Sequence, residues 1–424
     1  MTLALVITVA IVLLVFGFPM FLVLMVPAML VKFLFYPTVP DLVLVQKTVA
    51  GMNHSVLLAI PFFIFAAELM GRGEIARQLT AMMAALFRRR AGGMGYSTIG
   101  AAAGFGAVSG SAPATVAALG GLTYPRLKTQ GFSDRFSLGL IASSAEIALL
   151  IPPSLVLIIY GWLTGTSIAR LFAAGLVVGV VLAIAFSFLV ATKARHLTPE
   201  ARGDSASKPR DLKVLWALGM PVIILGGIYS GFFTPTEAAA VSVIYAILVE
   251  GLVLRNLTLK KLMTFAENAA VSSAVIFILL AVGSTLAYFI TIAQVPAAVI
   301  GFMQYIDAGP ITFLIIINIL FLITGMFIDP GSALLILVPT MFPVAQSLGI
   351  DPVHFGIVVS LNICTGMITP PFGLDNFVAA STLQKSVAEV SLGVLPFVAV
   401  NIAVLLLITY VPGISTFLPN LLMG

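Results

Sequence analysis

Four stretches of this chain place small oxygen-bearing side chains between helix breakers, inside otherwise apolar sequence. They are Gly106-Ala-Val-Ser-Gly-Ser-Ala-Pro-Ala-Thr115, Ser143-Ser-Ala-Glu-Ile-Ala-Leu-Leu-Ile-Pro-Pro-Ser154, Gly325-Met-Phe-Ile-Asp-Pro-Gly-Ser332 and Asn362-Ile-Cys-Thr-Gly-Met-Ile-Thr-Pro-Pro-Phe-Gly-Leu-Asp-Asn376. A proline pair removes two backbone donors and frees carbonyl oxygens of the preceding turn. In lipid those oxygens need a partner, so such a break survives only inside protein or lining a cavity. Carbonyl, hydroxyl and amide oxygens gathered there can coordinate Na⁺, and an exposed helix amino terminus can hold a carboxylate. Each run taken alone also reads as a kink or a packing surface: Gly100/Gly104, Gly106/Gly110 and Gly175/Gly179 have the small-xxx-small spacing.

One numerical relation favours the chemical reading. Ser97–Gly165 aligns without a gap on Ile315–Leu383, 218 residues later, and the four runs pair under that offset. Pro125 falls on Pro343, Gly131 on Gly349, Pro152-Pro153 on Pro370-Pro371 and Thr164 on Thr382. Matches among Pro and Gly carry weight because these residues fix backbone geometry. Two repeats with interruptions at corresponding positions point to a secondary transporter, with its site where the interruptions meet.

Acids inside apolar runs are Glu68, Glu146, Glu237, Asp329 and Asp375. Each costs roughly 2.5–3.5 kcal/mol at the bilayer centre on insertion scales, so each should be solvated, paired or functional. Asp329 is the strongest functional candidate, since it lies in a break and aligns with Ser111. Glu146 lies in the other break and aligns with Cys364. Glu237 follows Thr234-Pro235-Thr236 and is expected to cap a helix. Glu68 precedes Gly71 and is expected at the interface.

Other chemistries fit poorly. Ser109 or Ser111 with His54 or His354 could suggest a serine hydrolase, but Gly106-x-x-Ser-Gly lacks the G-x-S-x-G elbow. No P-loop occurs. A single cysteine, Cys364, and three histidines make a structural metal site unexpected. No enzyme activity is expected.

These elements must be positioned by a membrane fold. Hydrophobic residues make up 60% of 424 and charged ones 9%, against roughly 25% charged in soluble domains. The long apolar runs do not alternate as barrel strands would. The fold expected is an all-α polytopic membrane protein of about eleven or twelve membrane segments. Met1–Val31 carries no charge, and reads as a retained span kinked near Pro19 and Pro27.

The expected organisation is a first half over 1–192, a cytoplasmic linker at 193–213, central helices at 214–268 and a second half over 269–424. The first half holds a hairpin at about 94–125 and a broken helix at 132–161. The second holds a hairpin at about 312–343 and a broken helix at about 350–379. Of 21 Lys and Arg, only Lys385 follows Lys261. The bases sit in short loops, the positive-inside pattern, and not on the basic soluble surface that nucleic acid requires. The connector Tyr124–Arg135 carries Arg126, Lys128 and Arg135 against Asp134, whereas Phe342–Val353 carries only Asp351. The two copies are therefore predicted to lie in opposite orientations.

The residues resemble the large membrane subunit of tripartite ATP-independent periplasmic (TRAP) transporters, the DctM-like or M subunit, within the ion-transporter superfamily. The resemblance rests on Ser109-Gly-Ser-Ala-Pro-Ala-Thr115, on Ile151-Pro-Pro-Ser154 with Tyr160-Gly161, and on Gly231-Phe-Phe-Thr-Pro-Thr-Glu-Ala-Ala239. It rests also on Leu335-Ile-Leu-Val-Pro339 with Gly349-Ile-Asp-Pro-Val-His-Phe-Gly356, and on Asn362 through Thr369-Pro-Pro-Phe-Gly373. It covers essentially the whole chain, in order.

That resemblance implies an inverted-repeat, elevator-type transporter with two re-entrant helical hairpins in the bacterial inner membrane. It implies Na⁺-driven uptake of an organic acid from a periplasmic binding protein, with a separate four-helix small membrane subunit. Dicarboxylates, keto acids, sugar acids and sialic acids are all open as cargo. Carried onto this chain, one Na⁺ site would draw on Ser109, Ser111, Ser143, Ser144, Glu146 and Pro152. The other would draw on Gly325, Asp329, Asn362, Gly366 and Thr369. Substrate would sit near Ser111, Thr115, Pro370 and Asn376. Glu146 stands where the family pattern suggests a small residue, and Asp375 where it suggests Asn. Extra acid there could change ion stoichiometry, admit protons or pair with a cationic group. The alternative reading is an ion or organic-anion exchanger, or a channel, of similar architecture that needs no binding protein.

Overall fold

A computed structural model describes residues 2–71, 74–87, 89–197 and 213–423. Arg88 and most of the expected cytoplasmic linker, residues 198–212, lie outside the described residues. Among the described residues every regular element is helical. Six helices are long and apolar enough to cross a membrane, and two bent pairs would bring the number to eight. Other apolar helices are shorter, because Gly and Pro interrupt the runs. The span expected through Val31 is two helices, Thr2–Val15 and Met20–Phe35, with Pro27 inside the second.

The 218-residue offset recurs in the element boundaries. The first hairpin is Gly93–Ser109 and Ala112–Thr129, and the second is Pro310–Phe327 and Pro330–Ser347. Each turn is two residues, Gly110-Ser111 and Ile328-Asp329, and in each hairpin the arms pack together. The first broken helix runs Asp134–Ala145, Ile147–Leu150 and, beyond Pro152-Pro153, Leu155–Thr164. The second runs Pro352–Ile368 and, beyond Pro370-Pro371, Leu374–Leu383. The offset reaches further out as well. Asp41 opens a helix pair, Asp41–Ala50 and Ser55–Gly71, bent by 52°. Leu259, 218 residues on, opens a single helix to Ile292. At 34 residues that helix is about 51 Å long, more than a bilayer core of about 30 Å needs when crossed upright.

The copies are antiparallel. Tyr160, near the end of the first broken helix, donates its hydroxyl to the Pro352 carbonyl at 2.7 Å, where the second broken helix begins. Lys385, just past the end of the second, sits 5.6 Å from the Tyr124 ring, beside the connector where the first begins. Each broken helix thus starts where the other ends. Near Tyr124, Lys128 pairs with Asp134 at 3.1 Å. Lys385, the one base in the last third of the chain, has joined this basic end, which the positive-inside rule assigns to the cytoplasm. Its ammonium pKa is raised, chiefly by the neighbouring Tyr124 hydroxyl.

Close helix contact depends on glycine at these crossings. A Cβ on Gly139 would come within 2.0 Å of the Gly393 carbonyl oxygen, so Asp134–Ala145 and Val387–Tyr410 touch backbone to backbone. Around this core the outer helices expose large apolar side chains such as Val222, Leu252 and Phe188 to what must be lipid or a partner helix.

Candidate functional site

The two hairpin tips meet. Gly110 and Ser111 of the first and Asp329 and Gly331 of the second line one cleft of about 170 Å³, closed on one side by Ile276 and Leu280 of Leu259–Ile292. Ser111 also lines a larger cavity of about 720 Å³, which lies between the first hairpin and the helices Ala59–Gly71 and Leu259–Ile292. Ser109, Glu68 and Ser272 supply its polar wall, with Phe105 and Ile276 among the apolar lining. Glu68, read from sequence as an interfacial acid, faces this cavity and accepts a bond from Asn268 at 3.4 Å.

Local sequence explains the tips. Each ends one helix and caps the next with a side-chain oxygen. Ser111 Oγ accepts from the Ala114 amide at 3.4 Å, and Asp329 Oδ2 accepts from the Ser332 amide at 3.0 Å. Gly110 is left-handed, at φ +59°, and a Cβ there would meet the Pro153 carbonyl oxygen at 2.3 Å. The first tip is thereby pressed onto the first proline break. A Cβ on Gly106 would likewise meet Ala148 at 2.4 Å. In the second repeat the matching contact joins Gly325 and Gly366, where a Cβ on Gly366 would lie 2.6 Å from Gly325.

The breaks free carbonyls, and side chains answer them. Ser154 donates its hydroxyl to the Leu149 carbonyl. Thr369 donates to Thr365 at 2.6 Å, and Asn376 Nδ2 donates to Ile368 at 2.7 Å. Asn362 gives its two N–H bonds to Asn318 Oδ1 and the Val358 carbonyl, at 2.8 and 2.9 Å. Its Oδ1 is buried without a partner, as are Ser143 Oγ and Ser144 Oγ. Ser144 and Asn362 are themselves 218 residues apart.

The expected site residues are therefore divided. Ser111 and Asp329 come together at the tips, and Ser109 borders the large cavity beside Ser111. Gly325 and Gly366 touch, with Asn362 one turn away on the same helix. Thr115 is buried and donates its hydroxyl to the Ser111 carbonyl at 2.7 Å, so it braces the tip. Pro370 is half-buried. Asn376 is fully buried and lines neither cavity. Glu146 is fully buried and turns to Asn401 of Val387–Tyr410, which donates to Glu146 Oε2 at 2.6 Å. Asn401 was invisible as a site residue from sequence, since a lone Asn in an apolar helix carries no local signal. Ser272 was missed for the same reason.

Residues 7–414 match the family described as the tripartite ATP-independent periplasmic transporter, DctM component. The chain belongs to this family. It is a transporter subunit and not an enzyme, and a multi-pass protein of the inner membrane. The ectoine/5-hydroxyectoine TRAP transporter large permease protein of Ruegeria pomeroyi is 40% identical over 416 residues, covering 97% of each chain. The C4-dicarboxylate TRAP transporter large permease protein of Vibrio cholerae is 35% identical, covering 93% of this chain and 92% of its own. Among solved structures, the YdaH transporter of Alcanivorax borkumensis superposes with a TM-score of 0.61 at 12% identity, over 87% of each chain. That likeness extends the fold alone. TRAP large permeases act in general with a small permease and a periplasmic binding protein.

The described residues have the donor chemistry that a hard cation such as Na⁺ would take. The oxygens left without partners beside the breaks belong to hydroxyl, amide and carboxylate groups, which are hard ligands. No group of three or more His, Cys, Asp or Glu occurs among the described residues to suggest a transition metal.

Proposed function

We propose that this permease couples uptake of a small carboxylate-bearing solute to the inward Na⁺ gradient, taking its cargo from a periplasmic binding protein. The observation that carries this reading is the junction at Ser111. Among the described residues Ser111 is the one polar residue that borders both the 720 Å³ cavity and the cleft where the two tips meet, beside apolar Leu155 and Ile276. A cavity of that size suits a small organic molecule. The hairpin tips and the paired breaks would hold Na⁺: Ser109, Ser111, Ser143, Ser144 and Pro152 in the first repeat, where Glu146 is instead turned to Asn401, and Gly325, Asp329, Asn362, Gly366 and Thr369 in the second. Substrate would contact Ser111 in the cavity, with Thr115, Pro370 and Asn376 supporting the tip and the second break. In an elevator motion, hairpins and broken helices would slide past Asp41–Gly71 and Leu259–Ile292, and the cavity lies on that seam. A separate four-helix small subunit would complete the membrane unit.

Relatives named for ectoine and for C4-dicarboxylates put both a zwitterion and dianions on the cargo panel. The test is uptake into proteoliposomes holding both membrane subunits, with binding protein outside, scanned over that panel with and without a Na⁺ gradient. Saturable uptake needing both Na⁺ and binding protein is expected. Flux indifferent to the binding protein would instead identify an exchanger or a channel.

A further inference from the structure

Beyond the tips, the permease buries a second group of oxygens. Glu146, Asp375 and Asn401 are each 0% exposed. Both carboxylate oxygens of Asp375 lack a hydrogen-bond partner, as do Glu146 Oε1 and Asn401 Oδ1. They come from three elements: Glu146 from the first break, Asp375 from the first turn of Leu374–Leu383, and Asn401 from Val387–Tyr410. The segments bearing Asp375 and Asn401 both pack on Asp134–Ala145, the helix that Glu146 ends. Asn401 Nδ2 donates to Glu146 Oε2 at 2.6 Å. Its Oδ1 belongs to the same planar amide and is therefore held beside that carboxylate. Leu374–Leu383, which Asp375 helps to open, packs also on Pro352–Ile368, the helix that carries Cys364 opposite Glu146 in the repeat.

Two carboxylates in an apolar interior need either a proton each or opposite charge, because desolvation of an unpaired buried ion costs several kcal/mol. Arg and Lys do not supply it. Lys32 is the one buried Lys or Arg among the described residues, and it pairs with Asp41, while buried His354 bonds Ser415. The amino terminus of Leu374–Leu383 favours a carboxylate in its first turn, yet no backbone N–H bonds to Asp375. What remains is a set of buried carboxyl and amide oxygens without partners, drawn from both repeats and from helices that pack on Asp134–Ala145.

We propose that Glu146, Asp375 and Asn401 form a small-cation site joining the two repeats, occupied by Na⁺ and separate from the hairpin tips. It rests on the Na⁺ reading above only for the choice of ion. Glu146 then serves this inter-repeat site, and the first tip site keeps its hydroxyl and carbonyl oxygens. Bound cation ties Asp375, in the segment after the second break, to the end of Asp134–Ala145. Loss of the cation leaves Asp375 and Glu146 to be neutralised by protons.

The test counts ²²Na⁺ bound per chain by the complete permease, co-purified with its small subunit in lipid nanodiscs. Wild type, Asp375→Asn, Glu146→Gln, the double variant and Asn401→Leu are compared with Asp329→Asn. Asp375→Asn and Glu146→Gln should each lose one ion, and the double variant should lose no further ion. Asn401→Leu should weaken that ion at least tenfold. Asp329→Asn should lose a different one. If Asp375→Asn and Glu146→Gln keep the wild-type count with affinity within twofold, the site is refuted and the acids are carried protonated, while the tip reading stands or falls on Asp329→Asn alone. A wild type that binds no Na⁺ overturns both. Should Asp375→Asn not survive purification, Glu146→Gln and Asn401→Leu decide.

Discussion

The two hairpin tips share a backbone plan and differ in charge. Both place a side-chain cap at the second residue of a two-residue turn, and both abut a proline break of their own repeat. The first tip turns on left-handed Gly110 and caps with neutral Ser111. The second is extended at Ile328 and caps with Asp329. At the breaks the asymmetry reverses, with acidic Glu146 in the first repeat and neutral Cys364 in the second. Duplication has kept the geometry that Gly and Pro enforce, while the acids fall at unmatched positions: Glu146 opposite Cys364, and Asp329 and Asp375 opposite Ser111 and Leu157. The lesson is that breaks build the site and side chains set where its charge lies.

The contact that both repeats share should be the most sensitive. Gly106→Leu and Gly366→Leu each force a side chain into backbone already within 3 Å. Each should separate a hairpin from its break and reduce proteoliposome uptake on the order of 100-fold, with overpacking of about 1–3 kcal/mol or more read as a lowered melting temperature. Tolerance of leucine at one position but not at the other would show that only one hairpin docks tightly.

Charge at the tips comes next. Asp329→Asn keeps a residue able to cap, so folding should persist. Half-saturating Na⁺ for uptake should nevertheless rise about tenfold, equivalent to roughly 1.4 kcal/mol. Unchanged Na⁺ activation would remove Asp329 from any ion site. Ser111→Ala removes a neutral cap of about 1 kcal/mol and a hydroxyl assigned to both ion and substrate, so it should raise the substrate KM severalfold and half-saturating Na⁺ by a smaller factor. An equal shift in both would mean that the tips do not divide their roles.

Antiparallel repeats make a topological prediction. Single cysteines at Lys128 and Gln346, in a Cys364→Ala background, should label from opposite faces of the membrane with an impermeant thiol reagent; labelling from one face would reverse the assignment of the copies. The smallest effect is expected at a capping box remote from the site. Thr234 Oγ1 accepts from the Glu237 amide at 3.3 Å and Glu237 Oε2 accepts from the Thr234 amide at 2.8 Å. Thr234→Ala should lower stability by about 1 kcal/mol in thermal melts and leave Na⁺ activation untouched.

Much of this architecture was legible from residue types. Pro and Gly limit backbone conformation locally, so the offset, the hairpin turns and the breaks could be located before any contact was known. Helix capping at Thr234 and Glu237 was equally readable, because it depends on residues three apart. The charge asymmetry of the two connectors foretold the opposed orientations, and the position of Lys385 beside Tyr124 agrees with it.

Partnerships across the chain were not legible. Nothing local links Glu146 with Asn401, 255 residues away, or Asn362 with Asn318. Asn376 looked like a substrate ligand beside a proline pair, yet its amide holds the Ile368 carbonyl in the protein interior. Glu68 looked interfacial, yet the crossing of Ala59–Gly71 with Leu259–Ile292 turns it toward the cavity. Sequence by itself determined where helices must break, because broken backbone is a local property of Pro and Gly. Only the tertiary structure decided which oxygens face a cavity, which satisfy a carbonyl and which are left together without partners, because those fates depend on side chains meeting from helices far apart in sequence.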